Sequence, residues 1–305
     1  MDYSQILSQQ FNIKEEYAKN IITLLDDGNT IPFIARYRKE MHGSMDDQLI
    51  REFAEKLEYL RGLDKRRDEI RSLIDAQEKL TDEINLALDK AATLSELEDI
   101  YRPYRPKRKT RASIAKEKGL EPLANDILKQ EKGFDPSKSA VDYIDEEKGV
   151  TSVEDAIQGA MDIIAELVSD NAEIRKRIRN LTNANGVLVS VATDEEKDSV
   201  YKNYYDYKEP VKKIAGHRVL AVNRGEKEGF LKVSVETDSE KPLNSIFRAM
   251  ITDKNQLCSD IIREACTDAY QRLIYPSIER EVRNELTEKA EDGAIEVFGK
   301  NLHQL

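Results

Sequence analysis

The chain has 305 residues, of which 48 are Lys or Arg and 59 are Asp or Glu, so its formal net charge is −11. Charged residues make up 35% of it while Gly (13) and Pro (8) are scarce, which favours long solvated helices and excludes collagen-like, low-complexity and all-β proteins. So acidic a chain is not expected to be coated in nucleic acid unless its positive charge is concentrated in one place.

Membrane and secretory signals are missing from the sequence. It has no run of 18 apolar residues, and its N-terminus lacks the basic and apolar regions of a secretory signal. Its two cysteines, Cys258 and Cys266, stand eight residues apart on one predicted helix, beyond the reach of a disulfide. We therefore expect a cytoplasmic protein without a membrane partner, folded as roughly two subdomains.

The N-terminal third is predicted to be helical. Helices are expected at 4–10 and 14–27, followed by a stop at Gly28, an extended turn at 29–32 and a compact connector at 33–43. A long helix then begins near Asp46, with Arg67 standing where its apolar stripe expects an apolar residue. That turn is predicted to face solvent or another subdomain. Helices at 81–91 and 95–101 follow, the first with Thr81 as its N-cap.

Further along, two short helices at 112–118 and 121–130 have the spacing of a helix-turn-helix. The second offers few side chains that read bases, chiefly Asn125, Lys129 and Gln130, so a structural helix pair is favoured over a sequence reader. Another helix is expected to open at 135–137 and close at 148–149. Strong amphipathic helices are predicted at 151–168 and 171–182.

The middle of the chain changes character, because 186–193 and 230–237 alternate as strands that can pair. We expect a helix between them at 215–228, then helices at 245–251, at 255–275 and from Pro276 to the end. The apolar stripe of the last helix runs to Leu305 without a breaker, which indicates a chain cut from something longer.

These elements predict a mainly α fold: an elongated multi-helix scaffold with a helix-turn-helix-like region and a small β-ladder in the middle. The predicted divisions are an N-terminal helical region (1–185), a small α/β insertion (186–240) and C-terminal long helices (241–305).

The segment 101–111, YRPYRPKRKTR, is here called the basic segment. It carries six cations and no acid, and Pro103 and Pro106 are predicted to prevent a helix and hold it extended. One interpretation is a nucleic-acid contact, in which the cations meet phosphates and the tyrosines stack on bases. The other is a loop docked on an acidic helix or neighbouring domain, with Tyr and Pro packed inside. The candidate binding residues are Tyr101, Arg102, Tyr104, Arg105, Lys107, Arg108, Lys109 and Arg111.

A second basic stretch, IPFIARYRKE at 31–40, interleaves Arg36, Arg38 and Lys39 with apolar residues. We list these three cations as a secondary basic elbow. The favoured interpretation is a packed elbow whose arginine side chains cap helix ends.

Signals for catalysis are weak, and we predict no catalytic residue, no metal and no cofactor. His42, His217 and His303 are scattered without metal-ligand spacing. A nuclease would need clustered carboxylates that hold a divalent metal. The paired acids of this chain are better explained as solvated helix ends.

Four stretches resemble the N-terminal part of the bacterial Tex proteins (transcription accessory proteins) and do so at collinear spacing across almost the whole chain. They are TIPFIARYRKE (30–40), LEYLRGLDKRRDEI (57–70), YRPYRPKRKTRASIAKEKGLEPLA (101–124) and YYDYKEPVKKIAGHRVLAVNRGEKEG (204–229). The resemblance implies a helical scaffold that longer members follow with an RNase-H-like domain, helix-hairpin-helix modules and an RNA-binding OB-fold. Leu305 would fall just before the RNase-H-like domain.

The resemblance also implies a nucleic-acid binder linked to transcription, without an established catalytic activity. The leading hypothesis is a non-enzymatic scaffold that contacts RNA or DNA largely without sequence preference. The alternative is a protein-interaction platform that docks on polymerase, the ribosome or the protein's own later domains.

Overall fold

A computed structural model describes residues 2–43, 45–106, 109–252 and 254–303, with side chains given for these except 296 and 298–303. Helices dominate and a single small sheet accompanies them in the part described, so the mainly α prediction is confirmed. The chain forms two compact units, here called unit 1 (residues 1–104) and unit 2 (residues 105–305). The predicted divisions at 185 and 240 stay a prediction.

Unit 1 is built from consecutive helices: α1 (Tyr3–Phe11), α2 (Glu15–Asp26), α3 (Ile31–Tyr37), α4 (Lys39–His42), α5 (Asp47–Asp75), α6 (Asp82–Lys90) and α7 (Leu94–Tyr101). Two apolar clusters divide the buried stripe of α5. Its first half, with Ile50 and Phe53, packs with α1–α3, and its second half, with Ile70 and Ile74, packs with α6 and α7. The predicted connector at 33–43 is wrong, because most of it forms α3 and α4.

Arg67 corrects another expectation, since its side chain is buried. Its guanidinium donates to the carbonyls of Leu88 at 2.8 Å and Ala91 at 2.9 Å, and it pairs with Asp64. Those carbonyls lie at the end of α6, where a helix leaves acceptors without internal partners. The cation in the apolar stripe of α5 therefore caps a neighbouring helix.

Unit 2 contains α8 (Arg111–Glu117), α9 (Glu121–Lys129), α10 (Pro136–Ala140), α11 (Val153–Asp170), α12 (Ala172–Asn185), α13 (Gly216–Lys227), α14 (Glu240–Met250), α15 (Gln256–Asp268) and α16 (Tyr275–His303). Its largest apolar cluster centres on α11 and α15 and includes Ile164, Ile262 and both cysteines. Both cysteines lie on α15, as predicted, and burial raises the pKa of the Cys266 thiol to about 12. The helix predicted at 135–149 is shorter, with only α10 and one 3₁₀ turn at Val141–Tyr143.

A three-stranded antiparallel sheet completes unit 2, in the order β2–β1–β3 with β1 (Val187–Ala192), β2 (Asp206–Pro210) and β3 (Leu231–Glu236). The predicted pairing of β1 with β3 is confirmed, for example at Val189 opposite Ser234. Strand β2 was not predicted, because DYKEP carries charges that hide its strand pattern and that strands tolerate at an exposed edge.

The helix predicted at 255–275 contains a π-helical stretch at Ala269–Ile274, and α16 begins one residue before Pro276. Proline lacks the N–H that an α-helix would use there, and the wider π turn fits that gap. Ile278 and Val282 of α16 are buried.

Candidate nucleic-acid interface

The first part of the basic segment lies in unit 1 and packs against its core. Tyr101 ends α7 with 7% of its surface exposed, and the guanidinium carbon of Arg66 lies 5.7 Å from its ring centre. Arg102–Tyr104 form a 3₁₀ turn, so the predicted extended backbone is wrong at this point. The half-buried Tyr104 packs against the same apolar cluster, and this burial stabilises the turn despite Pro103. Tyr101 therefore has no free face for a base.

The second part of the basic segment begins unit 2, and Arg105, Lys109 and Arg111 are exposed. Lys109 lies 3.5 Å from Glu117, but both side chains are about two-thirds exposed, so water and salt screen this pair. Lys107 and Arg108 lie outside the described residues. Lys109 and Arg111 are the cations of the prediction that the described geometry leaves able to meet a ligand.

The end of the basic segment is fixed by a capping box. The Thr110 hydroxyl accepts from the Ser113 amide at 3.0 Å, and Ser113 Oγ accepts from the Thr110 amide at 2.8 Å. Thr110 Oγ1 also donates to Glu166 of α11 at 3.0 Å. Burial raises the pKa of the neighbouring Asp162 carboxyl on α11, and the charge of Arg111 opposes that rise. The base of the segment is thus fixed to α11.

The second basic stretch lies on α3 and α4 in unit 1, and residues 33–39 are here called the elbow. Ile34 is fully buried, whereas Arg36, Tyr37, Arg38 and Lys39 are all exposed. Arg38 stands at the junction of the two helices, yet its side chain makes no capping hydrogen bond. The expectation that these arginines cap helix ends is therefore wrong, and their charges face solvent.

Aromatic rings organise the exposed face of the elbow. The rings of Phe33 and Tyr37 are 5.4 Å apart, and the Arg38 guanidinium carbon lies 5.5 Å from the centre of Phe33. Tyr37 is 64% exposed. It was not among the predicted site residues, although the absence of any acid between Asp27 and Glu40 was a signal that could have drawn attention to it.

Other contacts hold the elbow in place from behind. The buried His42 ring nitrogen Nε2 lies 3.0 Å from the Ile34 carbonyl, and Asn20 Nδ2 donates to the Met41 carbonyl at 3.1 Å. Gly43 has a φ of +67°, and a Cβ there would lie 2.6 Å from the Tyr17 ring. The backbone that carries the exposed cations is thus held in place by buried contacts.

The arginines of α5 differ from those of the elbow. Each of them meets a carboxylate, in the pairs Arg51–Asp47, Arg61–Asp26, Arg66–Glu98, Arg67–Asp64 and Arg71–Asp89. Within the described ranges of the chain, the side chains of Arg36, Arg38 and Lys39 make neither an ion pair nor a hydrogen bond. The elbow therefore carries positive charge that no described carboxylate compensates.

The two helices with helix-turn-helix spacing are present as α8 and α9. Of the three side chains considered for base readout, Gln130 is buried and binds the Met250 carbonyl and the Thr252 amide, and Lys129 pairs with Asp126. Only Asn125 stays outside such contacts in this set. The pair packs as part of the core of unit 2.

No helix among the residues described is both long and apolar enough to cross a membrane. Nor does the described part of the chain bring together three or more His, Cys, Asp or Glu side chains in a way that could hold a metal ion.

Comparison with known proteins gives matches along the whole chain. Residues 1–75 match the Tex-like protein N-terminal domain, and residues 131–298 match the Tex central region-like family. An uncharacterised Bacillus subtilis protein, YdcI, is 44% identical over the whole chain, which covers 43% of its length. The transcriptional accessory protein Tex of Neisseria gonorrhoeae is 36% identical over the whole chain, which covers 41% of its length.

A human relative, S1 RNA-binding domain-containing protein 1, is 31% identical over the whole chain, which covers 32% of its length. The chain thus spans about two fifths of its bacterial relatives. One family model matches more than half of the chain, and relatives more than 30% identical align along all of it. The chain therefore belongs to the Tex family of transcription accessory proteins.

Proposed function

We propose that this chain is a non-enzymatic, nucleic-acid-associated scaffold of the transcription apparatus, acting in the cytoplasm. In this proposal the basic segment contacts RNA or DNA phosphates without reading sequence. The observation that carries it is the exposure of Arg105, Lys109 and Arg111 at a segment whose end is fixed to α11. The names of the gonococcal and human relatives, which mention transcription and RNA binding, support the ligand class.

Salt dependence tests the proposal directly. Six phosphate contacts to a single strand correspond to a slope of log K against log salt of about −4. Replacing Arg105, Lys107, Arg108 and Lys109 by Ala should flatten that slope by about 3, measured by fluorescence anisotropy with a labelled oligonucleotide.

The matched control removes the same charge elsewhere on unit 2. Lys129, Lys138, Lys148 and Lys202 are exposed and already paired with Asp126, Asp135, Asp145 and Asp198. Their replacement by Ala should change the slope much less. Equal slopes for the two quadruple variants, or no salt-sensitive binding at 50 mM salt, would contradict direct contact by the basic segment.

A protein-interaction platform is the second candidate, in which polymerase or ribosomal components bind the chain. It is favoured by the acids that already face part of the basic segment, Glu117 beside Lys109 and Asp162 beside Arg111. Recovery of such components by the immobilised chain after nuclease treatment would support it. If nuclease treatment abolishes the recovery of these components, nucleic acid bridges them to the chain, and the nucleic-acid proposal is favoured.

A further inference from the structure

Three features of the elbow point to a ligand. Arg36, Arg38 and Lys39 fall within four residues, all are exposed, and no described carboxylate pairs with them. Tyr37 lies between them and is 64% exposed. Ordering a side chain costs conformational entropy, and here the Phe33 ring already holds Tyr37 and Arg38 at 5.4 and 5.5 Å.

A second tyrosine in unit 1 shows what sets the elbow apart. Tyr59 on α5 is 42% exposed, with the Lys56 ammonium 4.7 Å from its ring centre. The same hollow is lined by Glu52 and Glu55, which would repel an anionic polymer. The elbow has the same pairing of ring and cation without an acid between Asp27 and Glu40.

We propose that the elbow is a second, independent binding surface for single-stranded nucleic acid. Three cations meet consecutive phosphates, and an unpaired base stacks on the open face of Tyr37. A duplex keeps its base faces inside the stack, so it would contact the cations but offer no base to stack on Tyr37. An acidic peptide would likewise have no planar group for the ring. The inference rests on the proposed function only for the class of ligand.

The cations are tested by salt titration of the full 305-residue chain with labelled rU15 and dT15. Changing Arg36, Arg38 and Lys39 together to Ala removes three phosphate contacts. The slope of log K against log salt should therefore become less negative by about 2. Tyr37→Ala should weaken binding roughly tenfold with little change in slope, because stacking releases no counterions. A slope unchanged in the triple variant would overturn the proposal.

The stacking step has its own readout, since the chain contains no tryptophan. Tyr37→Trp introduces a single tryptophan, whose emission should be quenched by rU15 and dT15 with the same midpoint as the anisotropy signal. Tyr59→Trp is the matched control, because it places an indole beside a lysine in an acidic hollow. Equal quenching at both positions, or quenching by polyglutamate as strong as by rU15, would overturn the proposal.

The two surfaces are separated by their variants. If the quadruple variant of the basic segment keeps the full slope while the elbow triple variant lowers it, the proposed contact by the basic segment fails and the elbow stands. If the triple variant binds like the unchanged chain and only the quadruple variant weakens binding, the elbow inference fails. A chain that binds neither oligonucleotide at 50 mM salt overturns both.

Discussion

The elbow departs from the role that its sequence suggests, whereas the basic segment keeps part of its own. The basic segment has twice as many cations, yet its first tyrosine is buried in the core of unit 1, and Thr110 is fixed to α11. The elbow, predicted to be packing, buries Ile34 and exposes Arg36, Arg38 and Lys39. Both stretches therefore expose cations, and density of charge along the chain did not predict that the elbow would.

The difference depends on what surrounds each cation in space. Arginines on α5 lie one turn from acids on the same helix or opposite acids on neighbouring helices, as Arg71 does with Asp68 and Asp89. The elbow lies within the twelve acid-free residues 28–39, and Glu40, the one acid in the sequences of α3 and α4, makes no ion pair with its cations. Cations with partners support the fold, and those without partners stay available to a ligand.

The sharpest test of this comparison is Arg67, the cation most engaged by the fold. Arg67→Ala removes the donors to the Leu88 and Ala91 carbonyls and leaves Asp64 without its partner. We expect the free energy of unfolding to fall by about 3 kcal/mol, measured by urea denaturation. Arg67→Lys should recover only part, because an ammonium lacks the fork that reaches two carbonyls.

Arg61→Ala is the control on the same helix. Arg61 pairs with Asp26 at 2.7 Å, but both side chains are more than two-fifths exposed. Solvent screens such a pair, so its loss should cost no more than about 1 kcal/mol. Equal losses in the free energy of unfolding for the Arg61 and Arg67 variants would show that burial does not decide how much these cations stabilise the fold.

Periodicity predicted most of the helices and the pairing of β1 with β3, because an apolar face repeats at a fixed spacing in each. It failed where long-range contacts decide. The role of Arg67 depends on carbonyls at Leu88 and Ala91, more than twenty residues away. The edge strand β2 pairs with β1, and the turn at Arg102–Tyr104 depends on the packing of Tyr104 against the core of unit 1.

Within the candidate site, the sequence located both basic stretches but not their environments. Exposure of Arg36, Arg38 and Lys39 follows from how Ile34 and His42 pack. A residue list cannot show that packing, since each of these side chains is chemically suited to either solvent or an ion pair. Tyr37 was passed over for the same reason.

Asp162 tests whether the end of the basic segment belongs to the fold. Burial raises the pKa of its carboxyl above the ordinary 3.8, against the charges of Arg111 and Arg272. The folded state thus binds this proton more readily than the unfolded state. Protonation of Asp162 therefore adds to the free energy of unfolding as the pH falls through the folded pKa, and this contribution is absent at neutral pH. Asp162→Asn should raise the free energy of unfolding at pH 7 on the order of 1 kcal/mol.

That gain should shrink on acidification, because Asp162 of the unchanged chain then becomes neutral as well. Urea denaturation of both proteins at pH 7 and at pH 5 measures the difference. A variant less stable at pH 7 would show that attraction of the carboxylate to Arg111 and Arg272 outweighs its burial. Arg111 would then count as a structural cation, like those of α5.

The smallest expected effect is on the stability of the elbow itself. Arg36, Arg38 and Lys39 make no ion pair or hydrogen bond with any residue that the structure describes, so changing all three to Ala should alter the free energy of unfolding by less than about 0.5 kcal/mol. Ile34→Ala, one helical turn away and fully buried, should cost about 3 kcal/mol and shows that the assay detects damage to α3. A large loss in the triple variant would mean that the exposed cations do support the fold. Unchanged stability together with a reduced salt slope would instead show that their charge acts on a ligand and contributes little to the fold.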